Sequence, residues 1–488
     1  MKLFDICQRA GISCPEHLKH IEVEGISSRS NEIKQNYVFV CLRGTKLDGH
    51  DYIEQAFMRG ACAVMIEDEK YACDRSILVE STRRALSRTL NVLWGEPTKR
   101  LKFIGVTGTN GKTSVSAMIK NIFDVNHISC EVIGTLNCSS FSEKNPNPQA
   151  NLTTPDPEEL YPMLLGMARA GVEYVVMEAS SHALKLCKLD PINFEIGIFT
   201  NLSEDHLDFH LNMEDYFKSK LLLFDRCRVG IINIDDEYGK RLFEVASCEK
   251  YSCSMEQSAD FVSKDIISLA KKGSKYTVWS AKGEFDILCK IPGEFSIMNS
   301  LQASACALAL DIDNRTISSS FDLFDRVRGR LERIEIFEER GFSVFIDYAH
   351  TPDALLKLLQ TAKALKKGAG RIILLFGCGG DREKQKRSLM GAIASENADI
   401  TIITSDNPRS EDPIDIINDI LVGIDRSSEY VAIPDRAQAI RTAILLARKD
   451  DIVLLAGKGH EDYEIPARGR AHFDEREILR RIKNYKEE

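Results

Sequence analysis

"LKFIGVTGTNGKTS" (residues 101–114) decides how this chain is read. Its first half is apolar and β-rich, as a buried strand requires; a glycine loop follows, and a helix-forming sequence continues from Lys112. Strand, glycine loop and helix in that order are the context of a phosphate-binding loop. Gly108 and Gly111 let backbone N–H groups crowd around phosphate oxygens, with Thr109, Asn110 and Ser114 completing the loop, and the helix N-terminus favours the anion. Lys112 adds a mobile positive charge, and Thr113 is placed to put its hydroxyl on Mg²⁺. The match is to G-x-x-G-K-T, with Val106 where the longer eight-residue pattern has its first glycine. Nucleotide binding is the expectation.

Outward from this loop the strand–loop–helix pattern recurs. "YVVMEASSH" (174–182), "IGIFTNLSEDH" (196–206) and "VGIINIDDE" (229–237) are apolar strands ending in polar residues. Residues 260–292 alternate over shorter segments, which predicts an antiparallel edge. "SIMNSLQASACALAL" (296–310) predicts a long helix. Upstream, residues 1–95 mix short strands ("NYVFVCL", "CAVMIED") with helices, and "GEPTKR" (95–100) reads as a linker. Downstream of 331 the strands "FSVFID", "RIILLF", "DITIIT" and "DIVLLA" alternate with amphipathic helices, which is βαβ winding around a buried parallel sheet. The expected fold is therefore α/β in three domains: a smaller N-terminal α/β domain (1–95), a central P-loop ATPase-like domain with a mostly parallel sheet (96–330), and a C-terminal Rossmann-like, doubly wound domain (331–488).

Composition narrows the classes of function. The 488 residues carry 43% hydrophobic and 28% charged side chains, as soluble globular proteins do. A net charge of −9 argues against nucleic-acid or anionic-membrane partners. No run reaches the roughly 18 apolar residues of a membrane span, and Asp5 and Arg9 interrupt the stretch where a signal peptide would be apolar. Fourteen cysteines without CxxC spacing read as reduced thiols in a cytoplasmic protein. A monomer acting on small molecules is the expectation.

In a parallel sheet ligands sit at the carboxyl ends of strands. The C-terminal strands end in "YAHTPD" (348–353), "GCGGDR" (377–382), "SDNPR" (405–409) and "GKGHE" (457–461), so four polar clusters converge on one edge. Within "SDNPRSEDP" (405–413), Asp412 and Pro413 read as an N-cap and first-turn proline. The convergence of four polar clusters counts against a reading of Arg409 as part of a turn alone, and a ligand contact stands beside that reading. In the central domain, Glu178 reads either as the acidic metal partner of the phosphate loop or as a surface carboxylate starting a helix. His206, beside Glu204, Asp205 and Asp208, reads as a metal ligand or as a structural hydrogen-bonder. Lys220, read from its own helix, is a solvent-facing lysine.

The motifs "GTNGKT", "MEASSH", "TNLSEDHLDFH", "RGRLERI", "DYAHTPD", "GCGGDR" and "GKGHEDYE", in that order over the whole chain, closely resemble the ATP-dependent Mur ligases of peptidoglycan synthesis, and among them the diaminopimelate-adding members. That resemblance implies ATP, UDP-N-acetylmuramoyl-L-alanyl-D-glutamate and meso-2,6-diaminopimelate as substrates. It implies an acyl-phosphate intermediate on the D-glutamyl carboxylate and two Mg²⁺ ions held by Thr113, Glu178, His206 and Lys220. Lys220, in "DYFKSKLLLF" (215–224), aligns with the family lysine that CO₂ converts to a carbamate (N6-carboxylysine). The same resemblance implies catalytic roles for Lys112, Glu178, His206 and Lys220, and places Asn299 and Arg330 with the phosphate loop on ATP. The muramyl substrate falls to Ser28, Thr153, Thr154, Ser180 and Lys188, where the family usually has arginine at the last position. Lysine supplies charge there without the bidentate fork. The diamino acid falls to Arg382, Asp406, Asn407, Pro408, Arg409, Gly457 and Glu461, with Arg409 gripping the distal carboxylate and Asp406 with Asn407 reading the adjacent ammonium. Lysine-adding Mur ligases, folylpolyglutamate synthase, and a non-catalytic P-loop protein that senses nucleotide are the alternatives.

Overall fold

The computed structural model describes residues 1–44, 47–136 and 153–484. Among the described residues three larger sheets follow one another along the chain, and a small antiparallel pairing of Tyr463–Glu464 with Ala471–His472 comes after them. The first has four parallel strands, Gly25–Ser27, Tyr37–Val40, Ala61–Ile66 and Ser76–Leu78.

The second sheet has nine strands, and Lys102–Thr107, which leads into the glycine loop, lies inside it between Tyr174–Glu178 and Phe194–Phe199. Five of its six residues are buried, which explains the unbroken apolar run. The predicted antiparallel edge is present: Phe261–Ser268, Ser274–Ser280 and Gly283–Cys289 pair antiparallel. Behind the phosphate loop lies the helix Glu294–Ala309, buried on nearly all sides. Its small residues allow close packing, and its hydroxyls fold back on the helix: Ser304 Oγ donates to the Ser300 carbonyl at 2.8 Å. Gln302 Nε2 donates to the Phe199 carbonyl (2.7 Å), capping a strand end that borders the loop.

The third sheet has six strands. Ser343–Asp347, Ile452–Ala456, Ile372–Phe376 and Ile400–Ile403 are neighbours in that order and run parallel. Its margins differ from a uniformly buried parallel sheet: Glu332–Ile334 pairs antiparallel at one edge, and Tyr430–Ala432 at the other is exposed along its length. Both are three residues long, too short for a readable alternation.

Apolar clusters cross from one sheet to the next. One joins Leu3, Val38 and Leu90 to Phe103 and Met177; another joins Val115 and Leu301 to Phe345 and Leu358. Among the described residues no helix is long and apolar enough to cross a membrane.

Candidate active site

The phosphate loop is pinned from behind. The Asn201 carbonyl accepts from Thr109 N and its Oδ1 from Asn110 N, both at 2.9 Å, while Thr200 Oγ1 donates to the Asn110 carbonyl at 2.6 Å. Gly108 has φ 147°, and a Cβ there would lie 1.9 Å from Thr200 Oγ1; at Gly111 (φ 87°) it would lie 2.6 Å from Asn299 Oδ1. Only glycine fits either position. Lys112 Nζ lies back over the loop, donating to the Gly108 and Thr109 carbonyls at 2.7 and 2.8 Å. Burial lowers the pKa of this amine, while Glu178 and Asp205 pull it back up.

Glu178 is the last residue of its strand and 1% exposed, so the reading of it as a surface carboxylate at a helix start is corrected. It accepts from Thr113 Oγ1 (3.1 Å), Thr135 Oγ1 (3.0 Å) and Thr135 N (2.9 Å). Arg330 donates to Thr113 Oγ1 at 3.0 Å, its guanidinium lying 4.6 Å from the Tyr348 ring centroid. Thr113 and Glu178 are hard oxygen donors, which suit Mg²⁺. Among the described residues no group of three or more His, Cys, Asp or Glu is assembled for a metal.

His206 has φ 58°, and its Nε2 lies 3.4 Å from Asp205 Oδ2. Burial lowers its pKa and Asp205 opposes that shift, leaving an imidazole that favours the neutral form. Lys220 departs most from its plain reading. It is 1% exposed, and its Nζ sits over the Tyr216 ring, 4.4 Å from the centroid. Among the described residues it has no hydrogen-bond acceptor. Burial, and then the charge of Lys112, hold its pKa well below the usual lysine value. Solvent-facing is therefore wrong for Lys220. The covering side chains come from distant segments that its own helix could not reveal.

Thr154 Oγ1 donates to the Glu178 carbonyl (2.7 Å) and accepts from Ser180 N (3.2 Å), and Ser180 Oγ caps the helix Ser181–Lys185. Ser28 lies apart from the main cavity. It lines a smaller one of about 100 Å³ with Arg29, Arg83, Glu158 and Lys188, and both its N and Oγ donate to Glu158. Lys188 lines both cavities and is ion-paired with Asp156 at 2.7 Å.

At the C-terminal edge, Arg409 has φ 54° and is fixed at both ends: its N donates to the Ile465 carbonyl (2.8 Å) and its NH1 to the Gly380 carbonyl (2.7 Å). Among the described residues no carboxylate is ion-paired with it. Asp412 caps the helix Pro413–Leu421, so the turn reading of the same stretch also holds. Asn407 is committed internally. Its Oδ1 already accepts from Lys458 Nζ (2.7 Å) and Ile465 N (3.0 Å), and its Nδ2 donates to Glu461 (2.8 Å). The expectation that Asn407 reads an ammonium is corrected to one in which it orients Glu461. Gly457 permits close approach, since a Cβ would lie 2.5 Å from Asp406 Oδ2.

Both edges face one cavity of about 570 Å³. Thr109–Ser114, Thr153, Thr154, Glu178, Ser180, Lys188, His206, Asn299 and Arg330 line it from the central domain; Arg382, Asp406, Asn407, Arg409, Gly457 and Glu461 line it from the C-terminal one. Gly108, Pro408 and Lys220 are not among the residues that line it. Asp353, at the start of the helix Pro352–Leu365, accepts from Asn110 Nδ2 (3.2 Å) and Ser203 Oγ (3.0 Å), so the C-terminal domain touches the phosphate loop.

Sequence reasoning missed Asn201, Asp353 and Arg387, although each sits in or beside a motif already singled out. Arg387 is fully buried: it grips Glu411 through two bonds of 2.9 Å, bonds Asp419 at 2.8 Å, and donates to the Gly379 carbonyl at 3.2 Å. It thus clamps the "GCGGDR" loop to the loop carrying Arg409. Arg387 holds the Glu411 carboxyl down at about 2 against a usual 4.5. A carboxyl depressed on folding stabilises above its unfolded pKa and loses that contribution as pH falls through its folded one. Arg387→Met should cost about 3 kcal/mol at pH 7, read as a lower urea midpoint, and its gap from the wild type should narrow as pH falls from 4.5 toward 2.

A phosphate loop facing the polar edge of a Rossmann-like sheet across one cavity is the arrangement of an enzyme that brings a nucleotide to a second bound substrate. Three family models match along the chain: the Mur ligase family catalytic domain at 22–92, the Mur ligase middle domain at 106–307, and the Mur ligase glutamate ligase domain at 329–459. The UDP-N-acetylmuramoyl-L-alanyl-D-glutamate–2,6-diaminopimelate ligase of Clostridium tetani is 37% identical over 487 residues, covering 99% of both chains. The Clostridium perfringens enzyme of the same name is 42% identical over 466 residues, covering 94% of each. A solved structure of an enzyme with that name is 30% identical, with full coverage of both chains and a TM-score of 0.69. The chain belongs to the Mur ligase family.

Proposed function

We propose that this protein is an ATP-dependent amide ligase that adds meso-2,6-diaminopimelate to UDP-N-acetylmuramoyl-L-alanyl-D-glutamate, acting as a cytoplasmic monomer in peptidoglycan precursor synthesis. The observation that carries this is the convergence of the Lys112–Thr113–Glu178 loop and the Asp406–Arg409–Glu461 edge on a single cavity. Full-length relatives at 37 and 42% identity bear the name of that activity.

The chemistry brings an anionic carboxylate to a polyanionic triphosphate, an approach that Coulomb repulsion opposes. Lys112 leaves the two loop carbonyls it now bonds and takes up phosphate oxygens, while backbone N–H groups of 109–113 and Arg330 fix the chain in line. Ser180, Thr154 and Lys188 hold the muramyl dipeptide so that its D-glutamyl carboxylate meets the γ-phosphoryl group. Mg²⁺, when bound, neutralises charge on the transferring group, with Thr113 and Glu178 as protein donors and His206 and a Lys220 carbamate supporting a second ion. The incoming amine attacks the acyl phosphate and phosphate leaves. Arg409 and the Asp406–Glu461 pair hold that amino acid by its far end, and the Asp353 contacts keep the two domains together so that water is excluded.

ADP release should require both UDP-muramyl dipeptide and diaminopimelate. Release with either alone, or with a folate and glutamate instead, contradicts this function and favours a nucleotide sensor or a folylpolyglutamate synthase.

A further inference from the structure

The amino-acid end of the cavity contains a charge without a role so far. Lys458 is 0% exposed, although it follows directly on Gly457 of the cavity wall. Its Nζ donates to Asn407 Oδ1 at 2.7 Å and to the Tyr463 carbonyl at 2.9 Å. It also lies 3.7 Å from both Asp406 Oδ1 and Glu461 Oε2. Those two carboxylates face the cavity; the ammonium between them does not.

We infer that Lys458 is an internal counter-ion that sets the charge of the amino-acid pocket, and so selects a zwitterionic side-chain terminus over a purely cationic one. This rests on the ligase reading above. Asp406 and Glu461 bring two negative charges and Lys458 one positive, leaving a single negative charge for one ammonium. Arg409, with no acid ion-paired to it among the described residues, supplies the single positive charge for one carboxylate. Arg382 is exposed at the mouth, where solvent screens it. These four groups, Asp406, Glu461, Lys458 and Arg409, therefore sum to zero, as the far end of a diamino diacid does; Glu383 and Lys386, which also line the cavity, cancel each other. A lysine side chain brings a cation and no anion, and leaves the Arg409 charge unanswered.

Without Lys458 the balance changes. Two buried acids would face each other uncompensated, and burial together with Asp406 already raises the Glu461 pKa. Such a pocket carries a net negative charge, which favours any cation and works against the carboxylate that Arg409 would hold. A lysine that merely pinned Asn407 would behave differently, because its loss would weaken every amino-acid substrate alike. Lys458 is thus a positioning residue with a selectivity signature.

The test is the ratio of kcat/KM for meso-diaminopimelate to that for L-lysine. In Lys458→Met the ratio should fall by about tenfold or more, with diaminopimelate losing and lysine holding or gaining. The double variant Lys458→Met/Glu461→Gln returns the acids to a single negative charge and should recover a clear preference for diaminopimelate. If the single variant does not fold, the double variant carries the test alone. An equal fall for both substrates, or a double variant without preference, overturns the inference while leaving the ligase reading intact. Wild-type protein that uses neither amino acid overturns both.

Discussion

Replacing Lys220 by alanine is expected to lower ligase turnover by about a thousandfold, with formate or acetate restoring part of it. The expectation follows from where the amine sits. It is buried, its Nζ lies over the Tyr216 ring, and the nearby Lys112 charge adds to the burial that disfavours its ammonium form. Asp205 opposes this only in part; a buried cation is costly, and an amine in that position sheds its proton. Neutral amines add CO₂, and the carbamate that forms turns a destabilised cation into an oxygen-donor anion, the kind of group Mg²⁺ takes. The same place then neutralises Lys112 instead of repelling it. Alanine leaves a space about the size of a small carboxylate, hence the rescue. Labelled bicarbonate should give a carbamate signal in the wild type that the variant lacks. Unimpaired turnover in Lys220→Ala, or a wild type without the signal, would contradict the assignment.

The second large effect is at Arg409. Arg409→Ala should lower kcat/KM for meso-diaminopimelate by about a thousandfold, roughly the 4 kcal/mol of truncating one partner of a buried charged contact. Lysine should change by no more than about threefold, since it offers no distal carboxylate for the guanidinium to hold. The structure holds this side chain ready before substrate arrives. Its backbone stands at φ 54°, a conformation that costs on the order of 1 kcal/mol and persists where neighbours enforce it. Ile465, Gly380 and, through Arg387, the Gly379 loop do the enforcing. Arg409→Lys keeps charge but loses the planar fork, so it should fall between wild type and alanine. Equal losses for both amino acids would mean that Arg409 supports the loop and does not select.

Much of this arrangement is legible in the amino-acid sequence. The Lys102–Thr107 strand, its glycine loop and the four strand ends that meet at the C-terminal edge are local patterns, written in consecutive residues. What escaped the sequence is long-range. Lys220 lies on the short helix Met213–Leu221, which buries Tyr216, Phe217, Ser219 and Lys220 on more than one face, so no periodicity marks the lysine as internal. Arg387, in "KQKRSLM", looks like one charge among several on a solvent face; the acids that bury it arrive 24 and 32 residues later. Asn407 carried the right chemistry for a ligand contact, but which way its amide is spent depends on Lys458 and Ile465, more than fifty residues away. The short edge strands Glu332–Ile334 and Tyr430–Ala432 fell below the length at which alternation can be read.

The most direct measurement of the central claim is a competition. Purified protein would receive ATP, Mg²⁺, UDP-N-acetylmuramoyl-L-alanyl-D-glutamate, and equal concentrations of meso-diaminopimelate and L-lysine, with products weighed by mass spectrometry. The account predicts that nearly all product carries the diaminopimelyl residue, with one ADP released per product. A lysyl product in equal or greater amount, or ADP release without amide product, would contradict it.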